Sequence, residues 1–242
     1  MLLKFLTYNI HYGIGRDRRY DLNRTIEVIR RENPDVVGLQ EVDNNLARTH
    51  FDNQSHIIAD TLEMHYYYCI NRRFRGGQFG ITTLSKFPLH DVKRFDLSYR
   101  YTFREPRGTL RTDIVLNSSR RLHFFNIHLG HSSRERYHQR RKLLSPSILF
   151  DQSMTDPVAV MGDFNDRPLP LLHSKLRNYF TDSFDAAGRD KKSTYFWGPI
   201  GFRLDHIYFD SNFHVVESYI VNSRLAFTAS DHLPLVAVAQ LN

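Results

Sequence analysis

A single cysteine, Cys69, is all the thiol that this 242-residue chain carries. One thiol forms neither an intramolecular disulfide nor a thiolate zinc cluster, so a disulfide-stapled scaffold is excluded and any metal must be held by oxygen or imidazole. Long apolar runs are missing too, none approaching the ~18 residues that cross a bilayer. The opening MLLKFLTYNIHYG puts Lys4 inside its short apolar stretch, with Asn9 and His11 close behind, and lacks the apolar core and small-residue cleavage site of a secretory leader. The expectation is a soluble, cytoplasmic, monomeric protein. No Pro/Gly/Ser-rich linker or low-complexity tract interrupts the chain, so residues 1–242 are expected to form one domain. Hydrophobic residues at 41% and charged residues at 24% suit a packed core rather than disorder. Acidic residues are the minority charge: 26 Asp and Glu against 33 Lys and Arg leave a net charge of +7. That favours a polyanionic partner, nucleic acid or anionic lipid, and says nothing of fold.

Local patterns order the chain. Leu2 to Ile10 reads as a strand running into the Gly13/Gly15 loop, and Asp21 or Asn23 can cap a helix carrying Leu22, Ile26 and Ile29 at helical spacing. Asn33-Pro34 stops that helix, and Asp35 to Gln40 is a short buried strand with Glu41 at its end. The second half repeats the order: a strand from Leu122 to Ile127, a basic helix from about Arg134, and the strand VAVMG ending in Asp163. Both leading strands end in one tripeptide, Asn9-Ile10-His11 and Asn126-Ile127-His128. Two similar halves facing each other, each offering Asn, His and a carboxylate at strand ends, is the simplest reading. Further strands are expected at Tyr66–Ile70, Phe79–Ser85, Thr109–Leu116, Phe202–Phe209, His214–Val221 and Leu235–Val238, and helices at His56–Met64 and Leu169–Arg177. The fold class is α/β, two sheets packed face to face with helices outside.

Four polar clusters follow or interrupt apolar strands: Gln40-Glu41, Gly162-Asp163-Phe164-Asn165, Leu204-Asp205-His206 and Ser230-Asp231-His232. Any one of them alone is as readily a loop turn or a helix cap. Together with Asn9 and His128 they make a set rich in carboxylate and amide oxygen, which suits Mg²⁺ or Mn²⁺ better than zinc or copper.

In TYNIHYG, LQEVD, FGITTLSKFPL, FFNIHLGH, VMGDFND, RLDHIYF and SDHLPL, spread in this order over nearly the whole chain, the sequence resembles the endonuclease/exonuclease/phosphatase superfamily. GDFN followed by SDH near the C-terminus is its more specific part. The resemblance implies a four-layer α/β sandwich of two mixed sheets with pseudo-symmetric halves, and metal-dependent phosphoester hydrolysis. Carried over, it makes Glu41 the main metal ligand, with Asn9 on metal or phosphate and Asp231 on the metal side. His232 becomes the general base, oriented by Asp205, and Asp163 and Asn165 position the nucleophile or a second metal. His128 donates to phosphate or assists the leaving group. Some relatives carry an acid where this chain has His11, which either faces the pocket or is a neutral loop histidine. Arg107 is a phosphate clamp or an ion-pair partner of Glu105 or Asp113, and Arg111 is a weaker candidate of the same kind. His206, next to Asp205 on a strand, should face the other way and be structural.

Three basic segments, Arg16–Arg19, Asn71–Arg75 and Arg134–Lys142, bear on the substrate, and the first follows the Asn9 strand. They tilt the expectation to a Mg²⁺-dependent phosphodiesterase acting on nucleic acid. A phospholipid-directed phosphodiesterase or phosphatase is the alternative, and a catalytically silent anion-binding module is the alternative of another class. The aromatic loop Thr194–Gly198, which holds the sole Trp, could stack on bases, touch lipid or simply pack on the sandwich.

Overall fold

Along the first strand, β1 (Leu2–Asn9), Leu3 and Phe5 enter one apolar cluster while Leu6 and Tyr8 enter another. A pleated strand alternates its side chains, so β1 is buried on both faces. The same holds for the central strands of the computed structural model, which describes residues 1–99, 105–166, 171–188 and 193–242. After β1 come α1 (Leu22–Glu32), β2 (Val36–Asn44), α2 (Gln54–Thr61), β3 (His65–Phe74), β4 (Gly77–Ser85), β5 (Leu89–Asp96), β6 (Gly108–Asn117), β7 (Arg120–His128), α3 (Ser133–Leu143) and β8 (Val158–Asp163). The chain continues through α4 (Leu171–Leu176), β9 (Thr181–Asp182), α5 (Ser183–Ala187), β10 (Tyr195–Trp197), β11 (Ile200–Phe202), β12 (Asp205–Phe209), β13 (Phe213–Ile220), α6 (Arg224–Ala229) and β14 (Leu235–Leu241).

One six-stranded sheet runs β13-β14-β1-β2-β4-β3 and the other β5-β6-β7-β8-β12-β9. In each, the two central strands, β1–β2 and β7–β8, are parallel and their flanking neighbours antiparallel. Parallel neighbours need a long crossover, which α1 and α3 supply. The halves are therefore pseudo-symmetric. Leu3, Phe5, Leu122, Phe124, Met161, Ile207 and Leu235 fill the space between the sheets. Leu22, Ile26 and Ile29 of α1, Ile58 of α2 and Ala226 of α6 cover the outer face of the first sheet; Leu143 of α3 and Leu172 and Leu176 of α4 cover that of the second. The result is the expected four-layer sandwich of two mixed sheets with helices outside.

The caps follow local chemistry. Asp21 accepts from the Asn23 amide at the start of α1, and Asn33 ends that helix in the left-handed region at φ 48°. α3 opens on a reciprocal capping box between Ser132 and Glu135.

Some expected boundaries move. β2 does not stop at Gln40 but runs to Asn44 through a bulge between Leu39 and Val42, which turns Glu41 to φ 55°. The strand expected over Phe202–Phe209 is two strands in different sheets, because the Leu204 and Asp205 amides donate to the Thr194 hydroxyl instead of a ladder. α2 begins at Gln54, where Asn53 caps it, two residues before the expected His56. β5, exposed along much of its length, carries no apolar alternation that would have announced it. Of the helix expected over Leu169–Arg177, Leu169 and Pro170 lie outside the described residues, and α4 occupies Leu171–Leu176.

Candidate active site

Toward the C-terminal ends of the central parallel strands, the positions facing the other sheet change from apolar to polar. β1 presents Leu3, Phe5, Thr7 and Asn9; β7 presents Leu122, Phe124, Asn126 and His128; β8 presents Ala159, Met161 and Asp163. β12 runs antiparallel to β8 and starts level with its end, pairing Asp205 with Asp163. Strand polarity and pleat thus bring four polar side chains to one end of the inter-sheet space.

The repeated tripeptide does not occupy equivalent places. β1 ends at Asn9, level with Gln40, whereas β7 ends two residues beyond Asn126, at His128, level with Asp163. The site takes its Asn from one half and its His from the other. Asn126 lies deeper and ties the sheets together: its Nδ2 donates to the Leu39 and Thr82 carbonyls at 3.1 and 2.9 Å, and its Oδ1 accepts from Gln40 Nε2 at 2.8 Å.

Around Asp163 the contacts are dense. Asn9 Nδ2 donates to its Oδ2 at 3.1 Å, and the Asn165 amide to its Oδ1 at 2.9 Å. His232 Nδ1 lies 2.8 Å from Asp205 Oδ2, and its Nε2 lies 3.9 Å from Asp163 Oδ2. Since a carboxylate only accepts, a neutral His232 carries its proton on Nδ1 and leaves a lone pair on Nε2, the nitrogen beside Asp163. Burial alone would depress the His232 imidazolium, but Asp205, Asp163 and Asp231 outweigh it and raise its pKa. Burial also pushes the Asp163 carboxyl above the usual range, with Asp205 adding to the shift and His232 opposing it. His128 is fully buried, its Nε2 3.7 Å from Asp163 and 3.8 Å from Glu41. Burial first, then Arg107, His131 and His232, holds its pKa well below the ordinary value, so His128 is neutral.

Glu41 sits at the opposite side of His128, aimed by the β2 bulge. After burial, its charge raises the pKa of the neighbouring Tyr12 phenol, and the Tyr12 ring centre lies 3.5 Å from the Arg48 guanidinium, which is itself paired with buried Asp43 at 2.7 and 2.8 Å. Among the described residues no Lys or Arg forms an ion pair with Glu41. Ligand atoms of Asp163, Asp205 and His232 all lie within 4.8 Å of one another, an oxygen-and-imidazole set without thiolate. Asp205 Oδ1 is buried without a hydrogen-bond partner among the described residues, so this set and Glu41 across His128 both keep capacity for a cation. The donor chemistry fits a hard divalent ion.

The remaining expected residues separate. Asp231 stands at the edge, its carbonyl accepting from Arg16. Ser230, which carried no role in the sequence reading, donates to the Asn9 carbonyl at 2.8 Å and accepts the His232 amide at 3.2 Å, fastening the His232 loop to β1. The His11 ring bonds the Ile14 carbonyl at 3.0 Å while its amide donates to Asn9 Oδ1, a loop-bracing role. Arg107 is buried at the rim, with Nη1 on Glu105 at 2.7 Å and Nη2 on His131 Nε2 at 3.2 Å. His131, also overlooked, lines a cavity of about 120 Å³ with Arg107 and Glu105. Its only signal was position, three residues after His128. Arg111 is not brought to the site: it forms a buried bidentate pair with Asp113 at 2.9 and 3.0 Å, which His123 joins. His206 faces outward, as expected, onto Asp182 at 3.1 Å. The aromatic loop is the β10–β11 hairpin: Tyr195 packs on His232 at 5.0 Å between ring centres, while Trp197 at the tip is 70% exposed.

Residues 6–232 match the model of the endonuclease/exonuclease/phosphatase family. The chain belongs to that family. An Escherichia coli (strain K12) relative, the uncharacterized protein YbhP, is 30% identical over 251 positions, covering 98% of this chain and 96% of the relative. The crystal structure of an endonuclease/exonuclease/phosphatase from Beutenbergia cavernae superposes at a TM-score of 0.81 with 20% identity, over 100% of this chain and 72% of the other. A mannosyl-6-phosphatase from Bacteroides thetaiotaomicron superposes at 0.76 with 19% identity, over 99% and 100%. At such identities these structures establish the fold. Family membership makes the chain a phosphohydrolase by class; no helix among the described residues is long and apolar enough to cross a membrane.

Proposed function

We propose that the chain is a Mg²⁺-dependent phosphodiesterase that hydrolyses its substrate by in-line attack of water on phosphorus, with nucleic acid the favoured substrate. The observation that carries it is the 2.8 Å His232–Asp205 pair, with the free Nε2 turned toward buried Asp163. His232 takes the proton from water at Nε2, and Asp205 holds the ring and stabilises the imidazolium that forms. Asp163, fixed by Asn9 and Asn165, orients the attacking water. Neutral His128 donates to a phosphoryl oxygen or the leaving group, and Arg107 supplies positive potential from behind His131. Mg²⁺, or Mn²⁺ in its place, held by Glu41 with Asn9 and Asp231 nearby, would neutralise charge on the phosphoryl oxygens. Arg16, on the Asp231 carbonyl, brings the basic Arg16–Arg19 segment to the edge of the site, which supports a polyanion.

A second reading, a phospholipid-directed esterase, draws on exposed Trp197 and Ile200 at the tip of a hairpin whose base packs on His232. Hydrolysis of DNA, RNA, sphingomyelin, phosphoinositides and bis-p-nitrophenyl phosphate with Mg²⁺, Mn²⁺ or EDTA separates the two. His232→Ala is expected to lower kcat by about 10²–10⁴-fold on whichever class is cleaved. Glu41→Gln is expected to abolish calorimetric Mg²⁺ binding. Metal-independent turnover would sink the proposal, and silence across the panel would leave the anion-binding module.

A further inference from the structure

Beside β2, a second bulge occupies the same sheet. β3 slips register between Ile70, opposite Gly80, and Arg72, opposite Phe79, so Asn71 is the extra residue. On the other edge of β4, Val42 also pairs with Gly80, and the bulge there carries Gln40 and Glu41. Two bulges thus flank one glycine, and bulges re-aim side chains. Gly80 itself must lack a side chain, because a β-carbon there would lie 2.0 Å from the Cys69 carbonyl oxygen.

The Asn71 side chain crosses to the other sheet and rests on Gly108, where a β-carbon would come within 3.0 Å of Asn71 Oδ1. Gly108 pairs directly with His128. Asn71 is 5% exposed, yet among the described residues neither Nδ2 nor Oδ1 has a hydrogen-bond partner, and both ring nitrogens of His128 likewise lack one. A buried amide left unsatisfied loses its hydration without repayment.

We infer that Asn71 is a substrate-contacting residue that binds a hydroxyl group carried next to the scissile phosphate, as on a sugar or polyol. An amide offers one accepting oxygen and a donating nitrogen, and a hydroxyl answers both. A phosphate oxygen would satisfy only the nitrogen and face the amide oxygen unfavourably. Asn71 therefore selects the substrate's alcohol part, while the groups around His232 handle phosphorus. The inference rests on the phosphoester reading of the site and narrows it to ribonucleotide, sugar or polyol esters, against their deoxy counterparts.

Matched substrate pairs test it: a ribo- and a deoxyribodinucleotide, ribose and deoxyribose 5-phosphate, and inositol and cyclohexyl phosphate, with bis-p-nitrophenyl phosphate as a hydroxyl-free reference. The wild type is expected to favour the hydroxylated member of at least one pair by about tenfold or more in kcat/KM. Asn71→Ala should erase that preference while holding turnover of the reference within about twofold. Asn71→Leu should leave Tm unchanged or raised, since it removes an unsatisfied amide. Absence of any preference in the wild type, a preference that survives in Asn71→Ala, equal loss on the reference, or a Tm drop of several degrees in Asn71→Leu each overturns the inference. If instead no substrate of these pairs nor the reference is cleaved, or His232→Ala leaves cleavage intact, the phosphoester reading itself has failed and the inference falls with it.

Discussion

Asn126 illustrates how much one side chain can decide. It is fully buried and holds two carbonyls of the opposite sheet with its nitrogen and the Gln40 amide with its oxygen. Truncation to Ala would leave those carbonyls buried without donors and open a void, an expected loss of about 2–4 kcal/mol in urea unfolding with an unchanged m-value. A loss below about 0.5 kcal/mol would show that the bridge adds nothing. The same residue shows what residue types reveal and what they do not. Asn126 and Asn9 look alike in the repeated tripeptide, but the strand of the first ends two residues later, so one braces the core and the other reaches Asp163. Arg111 and Arg107 are likewise alike on paper. Only the partners, Asp113 for one and Glu105 with His131 for the other, separate an internal ion pair from the rim of the site.

Among the elements, β4 is the one on which the site's geometry turns. Both bulges meet at Gly80, and a methyl there would strike the Cys69 carbonyl, backbone that cannot rotate away. Gly80→Ala should therefore push β3 from β4, cost about 2–4 kcal/mol, and impair activity beyond what the lost stability explains. Full activity in the fraction that remains folded would show that the bulges do not depend on Gly80. The bulges themselves were invisible in the sequence. Strand propensity and alternation place β2 and β4, but an extra residue in a ladder is set by its partner strand, which local pattern cannot name.

For the whole molecule, acid sensitivity follows from its buried histidines. His173 and His206 stack at 3.8 Å between ring centres on the outer face of the second sheet, with Tyr208, Asp182 and Arg203 around them. Burial first holds both below the ordinary histidine pKa, His173 at about 2, and His128 is depressed in the same sense. Below about pH 6.5 the unfolded chain binds protons that the folded chain refuses, so stability falls with falling pH. Asp163, Asp166 and Asp43, raised by burial, oppose this, while His131, lowered by burial and Arg107, adds to it. His232, raised, is protonated in both states below that pH and adds no slope. The deep depression of His128 and His173 decides the sign, so stability is expected to fall as the pH drops from about 6.5 to about 5. Asp182, held low despite burial by His206 and Arg203, adds its own loss only at more acid pH. Urea midpoints that stay flat from pH 7 to 5 would contradict this.

Composition, periodicity and capping residues were enough to determine the class of fold, the strand–helix–strand order of both halves, and the exclusion of a thiolate metal centre, because each depends on neighbours within a few positions. The family motifs named most of the side chains that meet at the site. Tertiary structure alone decided which Asn and which His meet, that Arg111 stays away, that Ser230, His131 and Tyr12 lie around the site, and that Asn71 rests against Gly108 with no hydrogen-bond partner among the described residues. Those outcomes depend on register between strands far apart in sequence and on the pleat that turns each residue to one face or the other. A shift of one residue in β1, β6 or β7 would turn Asn9, Arg111 or His128 to the other face.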